Sequence, residues 1–193
     1  MPGIRSVAVF CGAALGARPA YRAAAEALGV GLAQAGLRLI YGGGGSGLMG
    51  AVAQAALDAG GEVVGVIPQF LMDREVAHPG VRDLVVTDSM HSRKLRMFDR
   101  ADAFVVLPGG LGTLDEAVEI ITWRQLGLHS KPILICDVHG SSTPLSTAVD
   151  LAIAEGFAHP SAKTLFEILP GPTAILTRLT TLPAPPPTAS TRL

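Results

Sequence analysis

With 193 residues, 49% of them hydrophobic, and a mean hydropathy of +0.42, the chain can bury a sizeable core and is expected to form one domain. The 15 Lys and Arg against 16 Asp and Glu leave no global field to recruit nucleic acid or an anionic membrane, so any basic site must be local. Two cysteines make no disulfide framework, and no signal-type segment or membrane-length apolar run stands out, so a soluble protein of the reducing cytoplasm is expected.

Ile4 to Phe10 reads as the first strand, with Cys11-Gly12-Ala13-Ala14 as a tight turn after it. Pro19 to Ala35 reads as a helix, because Pro suits its first position, Tyr21, Ala25, Leu28 and Leu32 share one face, and Gly36 can end it. A second strand, Leu37 to Tyr41, runs into the glycine-rich turn Gly42 to Gly50, followed by a helix from Ala51 to Ala59. Glu62 to Ile67 forms a third strand, stopped by Pro68, and Gln69 to Gly80 has no period and reads as a loop. Leu84 to Thr87 is the next strand, and Asp88 or Ser89 can cap the helix that runs to Arg100.

That helix is the most basic part of the chain. Arg96 and Arg100 suit its carboxyl end, whereas Arg93 and Lys94 lie near its amino end, where the helix dipole disfavours cations. A compensating anion is required there, either a carboxylate of the protein or a ligand phosphate, and the ligand is favoured. Ala103 to Leu107 reads as a buried parallel strand and Leu114 to Leu126 as a helix, so Pro108-Gly109-Gly110-Leu111-Gly112-Thr113 sits where strand passes into helix. Glycines admit a ligand to backbone N–H groups at such a junction, and the new helix adds unpaired donors and partial positive charge. Asp115 and Glu116 are expected in the first turn of that helix. Pro132 to Asp137 is a last core strand, Pro144 to Glu155 a helix, and Ala162 to Leu169 and Thr173 to Thr181 two closing helices. From Pro183 to Leu193 the proline-rich sequence reads as a disordered tail, leaving residues 1–182 as the domain.

Strands alternating with helices imply a single Rossmann-like α/β domain, a doubly wound parallel sheet with helices on both faces. Ligands bind such sheets at the carboxyl ends of the strands, the edge that carries both glycine turns, the Arg93-Lys94 helix start and the loop around Glu75. Gly45-Ser46-Gly47-Leu48-Met49-Gly50 fits a dinucleotide fingerprint, but the next strand ends Val66-Ile67-Pro68-Gln69 without the acid that would hold a ribose, and no P-loop lysine follows. Histidines 78, 91, 129, 139 and 159 show no metal-ligand spacing and read as loop or surface residues. Of the three lysines only Lys94 is placed for chemistry, which disfavours a pyridoxal-phosphate decarboxylase.

Met90-His91-Ser92-Arg93-Lys94, together with Pro108-Gly109-Gly110-Leu111-Gly112-Thr113-Leu114-Asp115-Glu116, resembles the paired signature of the Lonely Guy (LOG) family. These are cytokinin riboside 5′-monophosphate phosphoribohydrolases, often mislabelled lysine decarboxylases. Gly42 to Gly50, Glu75 to His78 and Ile120 to Gly127 also match, so the resemblance spans residues 5 to 170. It implies that Arg93 and Glu116 are the catalytic pair and that Glu75, Arg93, Lys94, Gly109, Gly110, Leu111, Gly112, Thr113, Leu114, Asp115 and Thr122 contact the nucleotide. It also implies a homodimer with the active site close to the subunit interface. Two departures bear on substrate choice. Ala13 and Ala14 stand where relatives commonly have serines, and Asp115 where many have Glu.

The expected reaction is hydrolysis of a nucleoside 5′-monophosphate, AMP or N6-isopentenyl-AMP, to free base and ribose 5-phosphate, with no metal or other cofactor. Breaking an N-glycosidic bond develops positive charge on the ribose, which a carboxylate such as Glu116 can offset, while Arg93 offers forked donors to a phosphate or leaving group. The alternative from another class is a non-catalytic nucleotide or cofactor carrier using the same cleft. The helix after the glycine loop carries Val118, Ile120, Ile121, Trp123, Leu126 and Leu128, more apolar surface than one buried stripe needs, and this supports assembly through that helix.

Overall fold

The structure is a computed structural model that describes residues 3–72, 74 and 77–183. Its centre is a parallel seven-stranded sheet in the order β4-β3-β2-β1-β5-β6-β7. The strands are β1 (Ser6–Phe10), β2 (Arg38–Tyr41), β3 (Val63–Pro68), β4 (Asp83–Thr87), β5 (Ala103–Val106), β6 (Ile133–Asp137) and β7 (Glu167–Pro170). The helices are α1 (Pro19–Gln34), α2 (Gly47–Asp58), a single turn α3 (Gln69–Met72), α4 (Met90–Arg100), α5 (Leu111–Gln125), α6 (Thr143–Ala154) and α7 (Gly171–Thr181). The order reverses between β1 and β5, so the loops leaving these two strands part to opposite sides and open a crevice.

Alternation along the central strands sorts the core into two layers. Val7 and Val9 of β1, with Leu39 and Val105, pack under α1, α2 and α7, while Ala8 and Phe10, with Ile40, Phe104 and Val106, pack under α4, α5 and α6. Every residue of β1 is buried, as a strand covered on both faces requires. Cys11 and Cys136 are free and buried, and burial pushes both thiols up, which leaves them unreactive. Among the described residues no helix is long and apolar enough to cross a membrane.

The structure corrects several sequence-based boundaries. Ala162 to Leu169 is a 3-10 turn (Pro160–Thr164) and then the edge strand β7, not a helix. Phe166 enters the layer under α4 to α6 and Leu169 packs against the other layer, a period of two that pairs β7 to the open edge of β6. The segment Gln69 to Gly80 opens with α3 instead of being loop throughout. Helix α2 begins inside the glycine turn, at Gly47, and α5 begins at Leu111. Asp115 and Glu116 therefore lie beyond the first turn of α5, which contains no acidic residue. The tail from Ala184 onward lies outside the described residues.

Two of the histidines read as loop or surface residues lie in loops but are buried. His78 accepts from the Gly80 amide at 3.2 Å, and His129 accepts from the Lys131 amide at 3.1 Å while its Nε2 lies 2.8 Å from the Ile120 carbonyl. Lys131 is buried too, at the amino end of the sheet, where it donates to the Phe98 carbonyl at 2.6 Å and lies 4.0 Å above the Phe98 ring. Burial lowers its pKa to about 8, against the opposing pull of Asp99 and Asp102. A folded pKa below the unfolded value of about 10.4 means that the ammonium form burdens the fold at every pH below 8, and that the burden is relieved as pH rises from 8 towards 10.4. Lys131→Met should accordingly raise the thermal midpoint at pH 7, with the advantage shrinking across that window, as read by calorimetry at pH 7 and pH 10.

Candidate active site

The crevice between the β1 and β5 loops is a cleft of about 860 Å³ whose lining includes Cys11, Gly12, Ala13, Ala14, Met49, Arg93, Met97, the turn from Pro108 to Gly110, Glu116 and His139. The two glycine turns at this edge do different work. The amides of Leu48 and Met49, which open α2, donate to the Gly12 carbonyl at 3.0 and 3.3 Å, so a neighbouring loop already fills the amino end of that helix. A Cβ at Gly47 would collide with the Ala13 backbone, and that glycine, at φ 59°, serves close packing. The dinucleotide-like spacing is thus absorbed by packing between α2 and the β1 loop.

The turn after β5 stays open. Gly110 is the N-cap of α5 and supplies no side-chain cap, and the first helical bond runs from the Leu114 amide to the Gly110 carbonyl at 3.1 Å. The amides of Leu111, Gly112 and Thr113 precede that bond and are the unpaired donors of a helix start. Thr113 is buried because Gly109 has no Cβ, which would collide with the Thr113 side chain.

Arg93 and Glu116 meet under this turn, the one buried at 7% and the other at 9% exposure. The capping box of Ser89 and Ser92, with reciprocal bonds of 3.1 Å, starts α4 so that Arg93 points inward. Its Nε donates to the Val66 carbonyl and its Nη2 to the Gly42 carbonyl, each at 3.1 Å, and Nη1 lies 3.9 Å from Glu116 Oε1. Gly42 is needed for this, since a Cβ there would overlap Arg93 Nη2. The guanidinium is therefore anchored by backbone and only loosely paired with the acid. Burial pushes the Glu116 carboxyl up to about 7, with Arg93 and Lys94 pulling down against it. A carboxyl that exchanges its proton near neutrality, in a cleft, is equipped for proton transfer or for offsetting a cation.

Lys94 departs from expectation. Its ammonium bridges Asp115 at 3.0 Å and Glu119 at 3.1 Å, so the compensating anion at this helix start is supplied by the protein's own carboxylates. Two of its three donors are occupied. Thr122 is exposed on α5, donates to the Val118 carbonyl at 2.8 Å and is absent from the cleft lining, and Leu111 is 87% exposed. Leu114 is half-buried against the α4 to α6 layer. Glu75 lies outside the described residues. Sequence reasoning passed over Arg18, Tyr21, Leu71 and His139 as cleft residues, which line it from three different segments and carry no local motif that could have joined them. Among the described residues no group of three or more His, Cys, Asp or Glu side chains is placed to hold a metal.

A family model described as "Possible lysine decarboxylase" matches residues 49–179. The chain is 47% identical over 175 residues to a probable cytokinin riboside 5′-monophosphate phosphoribohydrolase, LOGL9, of Oryza sativa subsp. japonica, covering 91% of this chain and 77% of that protein. It is 42% identical over 175 residues to the cytokinin riboside 5′-monophosphate phosphoribohydrolase LOG7 of Arabidopsis thaliana, covering 91% and 81%. Among solved structures, the molybdenum cofactor binding protein of Rippkaea orientalis superposes with a TM-score of 0.69 at 21% identity, over 94% of this chain and 98% of that one, a likeness of fold.

Proposed function

The chain belongs to the LOG family of phosphoribohydrolases, and on that membership we propose that its cleft hydrolyses the N-glycosidic bond of a nucleoside 5′-monophosphate, AMP or N6-isopentenyl-AMP. Water adds its hydroxyl to the ribose C1′, the base leaves with the proton, and ribose 5-phosphate is the second product. The observation that carries this reading is Glu116, buried beside an open helix start and with its carboxyl pushed to about 7. As the anion it offsets the charge that grows on the ribose and takes a proton from the attacking water. Arg93, fixed by two carbonyls, directs its remaining donors at the substrate, and the amides of Leu111, Gly112 and Thr113 receive the phosphate. Lys94 keeps one donor for the nucleotide and orients Asp115. The family description as a lysine decarboxylase finds no support in the lysines: Lys94 is held by carboxylates, Lys131 is buried at the opposite end of the sheet, and Lys163 pairs with Asp150 on the surface.

The deciding experiment incubates the purified protein with each nucleotide and reads free base by chromatography. Release of base is expected, unchanged by a chelator, whereas a nucleotide recovered intact from the protein would establish a carrier. The two buried free thiols suit the cytoplasm as its compartment.

We place residues 1–182 as the catalytic domain and pair it as a homodimer through α5. Ile120 and Ile121 are buried in the subunit's own core, and Trp123 packs edge-on against Phe98 at 5.1 Å. The apolar surplus is narrower than the sequence implied and consists of Leu111, Val118 and Leu126, exposed at 87%, 50% and 68%. Thr122 shares this stripe and would reach a nucleotide only across the contact. Light scattering at micromolar concentration should give a dimer mass, and Val118→Glu a folded monomer of reduced activity. A monomeric wild type would overturn the pairing.

A further inference from the structure

The cleft needs positive charge for a phosphate that is largely dianionic at neutral pH, and Lys94, which is absent from its lining, does not supply any. Lys94, with Asp115 and Glu119 at 3.0 and 3.1 Å, forms a cluster whose net charge is negative. Arg93 sits deep, spending two donors on the Val66 and Gly42 carbonyls and facing Glu116. The cleft lining contains two other cationic or protonatable side chains, Arg18 and His139. Arg18 is exposed at the N-cap of α1 and makes no ion pair among the described residues. His139 is exposed in the loop between β6 and α6.

The sheet order makes these two residues neighbours of one site. The loop after β5 lies between the loop after β1, which ends at Arg18, and the loop after β6, which carries His139. The open amides of Leu111 to Thr113 are thus flanked on each side by a loop that carries one of these residues, and both residues line the same cleft. His139 is held there by its backbone, the non-glycine residue with positive φ (52°) among the described residues. Asp137 fixes the loop around it, accepting from the Gly140 amide at 3.2 Å and from the Ser142 amide at 2.9 Å.

We propose that Arg18 and His139 form a two-sided rim that binds the substrate's 5′-phosphate over the open start of α5, while Lys94 contributes a hydrogen bond without net charge. This rests on the cleft being a nucleotide site. Ala13 and Ala14, which line the same cleft, offer no hydroxyl to the phosphate, so binding at this end depends on the rim. The charged groups facing the rim are Asp137 beneath His139, Asp115 and Glu116 on α5, and Arg93 on α4.

The test uses Arg18→Gln and His139→Asn, singly and combined, since Asn tolerates positive φ and keeps the loop conformation. Affinity for ribose 5-phosphate is measured by calorimetry, a readout that does not require turnover, beside KM and kcat for AMP and N6-isopentenyl-AMP. The double variant should bind ribose 5-phosphate about tenfold more weakly and raise KM about as much, with kcat and inhibition by free adenine unchanged. Arg18→Lys should restore most of the loss. Unchanged ribose 5-phosphate affinity in the double variant overturns the rim, and so does a parallel weakening of adenine inhibition, which marks a structural defect. If wild type binds ribose 5-phosphate but releases no base from any nucleotide, the hydrolase reading fails while the rim is still judged by the binding data.

Discussion

Replacing Glu116 by Gln is expected to reduce base release by at least about a thousandfold while leaving the fold intact and nucleotide binding largely so. The change is nearly isosteric and removes only the charge, and the carboxylate's one ion pair among the described residues, to Arg93 at 3.9 Å, is too long to hold the site together. The same substitution should stabilise the protein at alkaline pH. Glu116 is buried and its folded pKa is about 7, above the ordinary carboxyl value of 4.5, so ionising it in the fold costs on the order of 3 kcal/mol. That cost is absent below about pH 4.5, where both states are protonated, and is complete above about pH 7. Thermal unfolding of Glu116→Gln and wild type should therefore coincide at pH 4 and separate in favour of the variant at pH 8. In wild type, kcat/KM should rise with pH through an inflection near 7 as the carboxyl ionises. Near-normal turnover in the variant would make Glu116 structural and remove it from the reaction.

The parts of this molecule that a sequence displays are those specified by local pattern. The strands β1, β2, β3, β5 and β6 were legible because largely buried strands read as short apolar runs, the edge strand β4 was legible from its Leu84 to Thr87 run although it is partly exposed, and the start of α4 was legible because Ser89 is a good cap. The start of α5 was misplaced because Gly-Leu-Gly carries poor helix propensity, yet its place follows from Gly110 acting as cap. β7 was read as a helix because its short stretch has no strong local preference, and the bare edge of β6 decides it. The partners of Lys94 could not be read either. Asp115 and Glu119 are brought to it by the packing of α5 beside α4, and nothing in the local pattern of α4 announces them. Arg18 and His139 fall in the same class, since single residues in separate loops are joined only by the order of the strands.

The two glycine turns make the same point in reverse. By composition they look alike, and the one that fits the dinucleotide fingerprint is closed, because the Gly12 carbonyl occupies the first amides of α2. The turn after β5 is open because its cap residue, Gly110, has no side chain to fold back over the helix start. Whether a glycine turn receives an anion is settled by what its neighbour offers, a long-range property.

Arg93→Lys is expected to cost both turnover and stability. The guanidinium is 7% exposed and divides its fork between the Val66 carbonyl of β3 and the Gly42 carbonyl after β2. A lysine ammonium is a point donor and cannot span both carbonyls from the same backbone position, so one buried acceptor loses its partner. Such a loss costs about 1–3 kcal/mol. The catalytic loss has the same root, since an ammonium drawn to one carbonyl no longer faces Glu116, and the substrate loses a donor fixed in place before it arrives. A fall in kcat/KM of about a hundredfold or more is expected, together with a lowered thermal midpoint. The pH profile separates this from general loosening. With the neighbouring cation displaced, the downward pull on the Glu116 carboxyl weakens, and the residual activity should inflect at a higher pH than in wild type. A variant with wild-type turnover and an unmoved inflection would remove Arg93 from the active site and leave it as a clasp between β2 and β3.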